Sequence, residues 1–129
     1  MGNVPMPTDA ELAILAVLWR EGPSTVRQVH DALAAEQSTA YTTTLKLMQV
    51  MTQKGLLRRD TSQRSYIFRP TRPAARTQKN LVKKLVDAAF EGSAAQLAMR
   101  ALSTKRASRE ELEELETMIE KLKAEQGDD

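Results

Sequence analysis

Thr42, Thr43, Lys46 and Gln49 fall on one face if the stretch from Ala40 to Gly55 is helical, and that face is rich in short hydrogen-bonding groups. Hydroxyl and amide side chains in the opening turns of a helix have the reach and polarity to contact base edges or phosphates in a major groove. The threonine methyls can also meet a thymine methyl, and Gln49 can reach a purine edge. Lys46 is the only charge on this face, which continues through Val50 and Gln53. Arg64, in a basic turn beyond the helix, is placed for a phosphate or the minor groove. Arg27, early in a preceding helical stretch, is placed for a phosphate where that helix crosses the backbone. Tyr41 has two open readings: a hydroxyl bonded to phosphate, or a ring that packs.

The charge distribution suits a polyanionic partner. Residues 37–84 contain eleven Lys or Arg and one acid, Asp60, whereas residues 85–129 contain six basic and eleven acidic residues. The net charge of +2 over 129 residues therefore conceals a strongly basic middle.

Catalysis has little to work with. His30 is the only histidine and sits at a helical position beside Val29 and Leu33, where it reads as a packing residue. Cysteine is absent, which excludes disulfides and thiolate metal sites and fits a cytoplasmic address. Glu110, Glu111, Glu113, Glu114 and Glu116 cluster only in one dimension. On a helix they spread around a solvated face. No glycine-rich phosphate loop or serine elbow is present, so neither an enzyme nor a cofactor is expected. No apolar run approaches the roughly 20 residues of a membrane span, and the first residues do not form a signal peptide. Met1-Gly2 is not read as a myristoylation site, because position 6 is Met.

The elements that must position these groups follow from capping and periodicity. Thr8 with Glu11 forms a capping box ahead of Leu12, Leu15, Ala16, Leu18 and Trp19, and Gly22-Pro23 ends that helix. Ser24 and Thr25 form an extended link. Thr25 with Gln28 is a second box, opening a helix with Val26, Val29, Leu33 and Ala34 inward and an end near Gln37. Thr39 is the expected cap of the third helix, whose inward stripe is Thr44, Leu47, Met48 and Met51, and Gly55 suits the left-handed residue that closes it. Strands are expected over Leu57 to Asp60 and Ser65 to Arg69, with Tyr66 and Phe68 packing inward and a turn between the strands.

Pro70 to Pro73 marks a boundary, and the remainder is helical. Leu81, Val82, Leu85, Val86, Ala89 and Phe90 form one stripe, which Gly92-Ser93 interrupts. Leu97, Met99 and Leu102 lie on a shorter segment. Ser108 with Glu111 opens a last helix carrying Leu112, Leu115, Ile119 and Leu122, and the chain is expected to fray at its end. These narrow apolar stripes need a surface, and a second copy of the chain is the simplest one.

Helix, helix, helix and basic hairpin is the order of a winged helix. The expected fold is mainly α with a small β-wing: a winged helix-turn-helix DNA-binding domain over residues 5–72 and an α-helical dimerisation domain over residues 73–125. The dimerisation contacts are expected from Leu81, Leu85, Phe90, Leu97, Leu102, Leu112, Leu115, Ile119 and Leu122.

Taken in order, these pieces resemble the penicillinase-repressor family, the winged-helix repressors of β-lactamase and methicillin-resistance genes. Thr8 to Glu11 with Val17-Leu-Trp19, Thr25 to His30, Ala40 to Thr43, Lys54-Gly-Leu56, Arg64 to Pro70 and Ser108 to Leu115 carry the resemblance. It implies a homodimer on a palindromic double-stranded DNA operator, repression by blocking a promoter, and Thr42, Thr43 and Lys46 facing bases. Lys46 stands where the family often has threonine, and Val50-Met51 where it often has arginine and leucine, which points to a different operator sequence. In antibiotic-responsive members a membrane sensor's signal leads to proteolysis at an Asn-Phe bond. The position that resembles it here is Arg100-Ala101, which lacks the Asn-Phe pair, so the cleavage site is not carried over. The cysteines of copper-responsive relatives are missing. The competing reading is a winged-helix protein–protein interaction module without sequence-specific DNA binding.

Overall fold

The computed structural model describes residues 4–127. The readings made on Met1-Gly2 and on the last two residues lie outside them. The chain separates into two compact units, one up to Leu81 and one from Val82 onward.

In the first unit, α1 (Asp9–Glu21) opens on the reciprocal box: Thr8 Oγ1 accepts from the Glu11 amide at 3.2 Å and Glu11 Oε1 accepts from the Thr8 amide at 2.9 Å. Its buried face is Ile14, Leu15, Val17 and Leu18. Leu12 and Trp19 pack at the margin, and Ala16 is exposed. The second box, Thr25 with Gln28, opens α2 (Val26–Ala34). Val26, Val29 and Leu33 are buried, but Ala34 is exposed and the helix ends there rather than near Gln37. A single further turn follows, in which the Glu36 and Gln37 amides donate to the Leu33 carbonyl at 3.0 and 2.8 Å.

The third helix, α3 (Tyr41–Lys54), is capped by Ala40 and not by Thr39, with no side-chain acceptor. The Ala40 carbonyl takes the Thr43 and Thr44 amides instead, at 3.1 and 3.3 Å. Burial of Thr44, Met48 and Met51 anchors this helix to α1 and α2, with Leu47 half-buried beside them. Gly55, at φ 87° and ψ 10°, supplies the left-handed closing residue.

The wing is β1 (Leu57–Asp60) paired antiparallel with β2 (Ile67–Pro70), in the register Leu57 to Pro70 and Arg59 to Phe68. The second strand starts two residues later than expected. Ser24, from the link between α1 and α2, exchanges both backbone bonds with Phe68, at 3.1 and 2.8 Å. This pairing fastens the hairpin to the helices. Phe68 is core, as expected. Tyr66 lies on the same side of the pleat, but before the strand begins, and is 47% exposed. No core lies beneath it.

In the second unit α4 (Ala74–Ala89), whose first turns belong to the first unit, ends at Glu91 and Gly92. Both have positive φ, and the Gly92 amide donates to the Val86 carbonyl at 3.0 Å. Ser93 caps α5 (Ala94–Thr104), and Ser108 with Glu111 boxes α6 (Arg109–Gln126). Val86 is buried, yet no residue of α5 or α6 is. Leu85, Leu102, Leu112, Ile119 and Leu122 are exposed, while Leu81, Phe90, Leu97 and Leu115 are half-buried. Among the described residues no helix is long and apolar enough to cross a membrane.

Candidate nucleic-acid interface

One face of α3 is buried and the opposite face is offered to solvent. Thr44, Met48 and Met51 sit in the core, so Thr42, Thr43, Lys46, Gln49 and Gln53 point outward by helical geometry, and all five are exposed. The outward groups continue onto two flanks. On one, Thr42, Thr43 and Lys46 border a groove of about 490 Å³ with Val50, Thr8 and Lys54. On the other, Arg27, Tyr41, Gln49 and Arg64 border a groove of about 310 Å³ between α2, α3 and the wing. The seven residues read from sequence therefore gather on one helix and its two sides, rather than in one pocket.

The electrostatics differ on the two flanks. Lys54 Nζ donates to Glu11 Oε2 at 2.8 Å, joining the end of α3 to the start of α1. Burial pushes the Glu11 carboxyl up. The bonds from Lys54 and from the Thr8 amide outweigh it and hold the group below the ordinary value. Lys54 is thus committed within the protein, whereas Lys46 has no acid partner among the described residues. On the wing side, the Arg27 guanidinium lies 4.2 Å above the Tyr41 ring, and His30 meets that ring edge-on with centroids 5.5 Å apart. His30 Nδ1 is 3.4 Å from Thr44 Oγ1, in keeping with a packing role. The Asp60 carboxylate accepts from the Ser62 amide at 2.9 Å, a bond that shapes the wing turn and holds the carboxyl below its ordinary value.

Sequence reasoning missed two residues of this surface. The Arg59 guanidinium stacks 4.7 Å over the Tyr66 ring, and both line the wing-side groove. The available signal was hairpin register: Arg59 opposes Phe68, so Tyr66 is its diagonal neighbour on the same side.

The penicillinase repressor family model matches residues 7–121. The chain belongs to the penicillinase repressor family. This is a family of transcriptional regulators and not of enzymes. The chain is similar to the transcriptional regulator BlaI of Mycobacterium tuberculosis, in strains CDC 1551 and H37Rv, at 40% identity over 63 residues. That match spans 48% of this chain and 46% of the relative, so the chain covers about half the length of the curated relatives it matches. In fold it is similar to the monomeric form of Bacillus licheniformis BlaI, solved in complex with the blaP half-operator. The TM-score is 0.51 at 21% identity, over 58% of this chain and 92% of that one. It is also similar to a MarR family protein from Bacillus stearothermophilus, with a TM-score of 0.54 at 21% identity, over 95% and 76% of the two chains. The mainly α, winged-helix fold expected from sequence is thus the fold found.

Proposed function

We propose that this penicillinase-repressor chain is a homodimeric transcriptional repressor of a two-fold-related DNA operator, with residues 5–72 binding DNA and residues 73–125 dimerising. The observation that carries this reading is the outward face of α3: hydrogen-bonding groups with a single charge, backed by a rigid core and flanked by the arginines of the wing. Thr42, Thr43, Lys46 and Gln49 read base edges in the major groove, and Arg27 and Arg64 neutralise the flanking phosphates. The half-operator held by the fold-related BlaI monomer is the kind of partner this face calls for. Val50, in place of the family's frequent arginine, shifts the preferred operator, because valine offers apolar contact and no hydrogen bond.

A second copy of the chain covers the apolar side chains left open on the last helices, among them Leu85, Leu102, Leu112, Ile119 and Leu122. Release through a membrane sensor and a protease would follow the family's pattern. Arg100 and Ala101 lie within α5, and a protease takes an extended segment, so cleavage there requires local opening of the helix first.

The test is selection of bound fragments from the source organism's genomic DNA at physiological salt, followed by sequencing. The expected product is a palindrome with half-sites about one helical turn apart. Recovery of unrelated fragments that wash off at modest salt would refute sequence-specific repression.

A further inference from the structure

Two arginine–tyrosine stacks line the same groove. Arg27 lies over Tyr41 at 4.2 Å and Arg59 over Tyr66 at 4.7 Å, and all four residues border the space between α2, α3 and the wing. Among the described residues neither arginine is paired with a carboxylate, and no acid lines the groove. We propose that Arg59 is a further phosphate-binding residue, and that Tyr41 and Tyr66 are positioning residues that hold Arg27 and Arg59 toward the backbone of a DNA duplex. This rests on the DNA-binding reading above and assigns groups that it does not.

The physical reason is pre-organisation. A free arginine gives up substantial rotamer freedom when it docks on a phosphate. A guanidinium already lying on an aromatic face has lost much of that freedom, and its N–H fork remains available at its rim. The two platforms differ in how they are held. Tyr41 is half-buried against the core, with the His30 ring at its edge. Tyr66 directly precedes β2, two residues before buried Phe68, and is 47% exposed, so its stack with Arg59 is the contact that orders the pair. Arg59 comes from the side of β1 that also carries buried Leu57, so it projects toward α3, while Arg58 and Arg69 pair on the other side.

The experiment measures binding of the full chain to a mixed-sequence duplex of roughly 30 base pairs across a salt series, since phosphate contacts need no operator. Arg59→Ala should flatten the plot of log K against log salt by about 0.9 per bound copy. Tyr66→Leu should weaken binding about two- to fivefold with the slope retained, because the charge remains and only its placement is lost. Tyr66→Phe and Tyr41→Phe should bind as the unaltered protein does, since a phenyl ring still carries the stack. Unchanged affinity and slope in Arg59→Ala, or in Tyr66→Leu an affinity equal to the unaltered protein's, would overturn the inference while leaving DNA binding standing. A loss in Tyr66→Phe and Tyr41→Phe as large as in Tyr66→Leu would also overturn it, by assigning the effect to the hydroxyls. If the unaltered protein shows no salt-dependent binding, the DNA-binding reading fails first and this inference with it.

Discussion

Lys54→Met isolates the one ion pair that ties α3 to α1. The Glu11 side chain is 2% exposed and that of Lys54 34% exposed, and their charged atoms are 2.8 Å apart. Breaking a fully buried pair from one side costs about 3–5 kcal/mol, because the remaining charge is left without a partner. Here water reaches Lys54, and Glu11 keeps its bond from the Thr8 amide. The cost should therefore fall to that of one charge-assisted hydrogen bond, about 2 kcal/mol. With a denaturant slope of about 2 kcal/mol per molar urea, the midpoint should drop by about 1 M at pH 7. The sign of the pH dependence follows from Glu11. Its folded pKa is depressed below the ordinary 4.5, so its contribution is full above pH 4.5 and is lost as pH falls through the folded value. The gap between the unaltered protein and Lys54→Met should accordingly narrow on acidification through that range. An unchanged midpoint at pH 7, or a gap that persists undiminished in acid, would refute the reasoning.

Lys46→Ala should weaken binding to a selected operator more than to competitor DNA, whereas Arg64→Ala should weaken both alike; equal losses on operator and competitor for Lys46→Ala would remove its base-reading role. Ile119→Asp places a charge on an open apolar stripe of α6 and should convert a dimer to monomer in sedimentation, with operator affinity falling as the second half-site is lost; a dimer surviving this change would put the interface elsewhere. Gly55→Ala should cost about 1–2 kcal/mol in urea melts, because φ is 87° at this position, while Gly55→Asn, which tolerates the left-handed region, should cost less. The nearest atom to an added Cβ is Val4 Cγ2 at 3.6 Å, so a much larger loss would point to a steric cause that the packing does not contain.

Where the sequence was legible, the deciding chemistry is local. The boxes at Thr8, Thr25 and Ser108 each pair a hydroxyl with a carboxylate or amide three residues on, and all three open helices as expected. The third helix lacks such a signal. Its start is set by burial of Thr44, Met48 and Met51 against other elements, so Thr39 drew the boundary one residue too early. Ala34 fits a core or a surface equally well, and it falls outside the face that Val26, Val29 and Leu33 bury. The Ser24–Phe68 pairing and the Glu11–Lys54 bond join positions 44 and 43 residues apart, and no periodicity announces either.

The wing shows why the candidate site was only half visible. Alternation along a strand tells which residues share a side, and it correctly put Tyr66 with Phe68. It does not tell what lies beneath that side at each step. Under Phe68 lies the core formed by α1, α2 and α3. Two residues earlier the same side has run past the edge of that core and opens onto the groove beside α3. An aromatic ring there is a platform for a cation rather than a filler of space, and Arg59, across the hairpin, is the cation in reach. A residue pattern that reads as packing in the middle of a small hairpin therefore reads as a binding surface at its tip, and the distance to the nearest helix decides between the two.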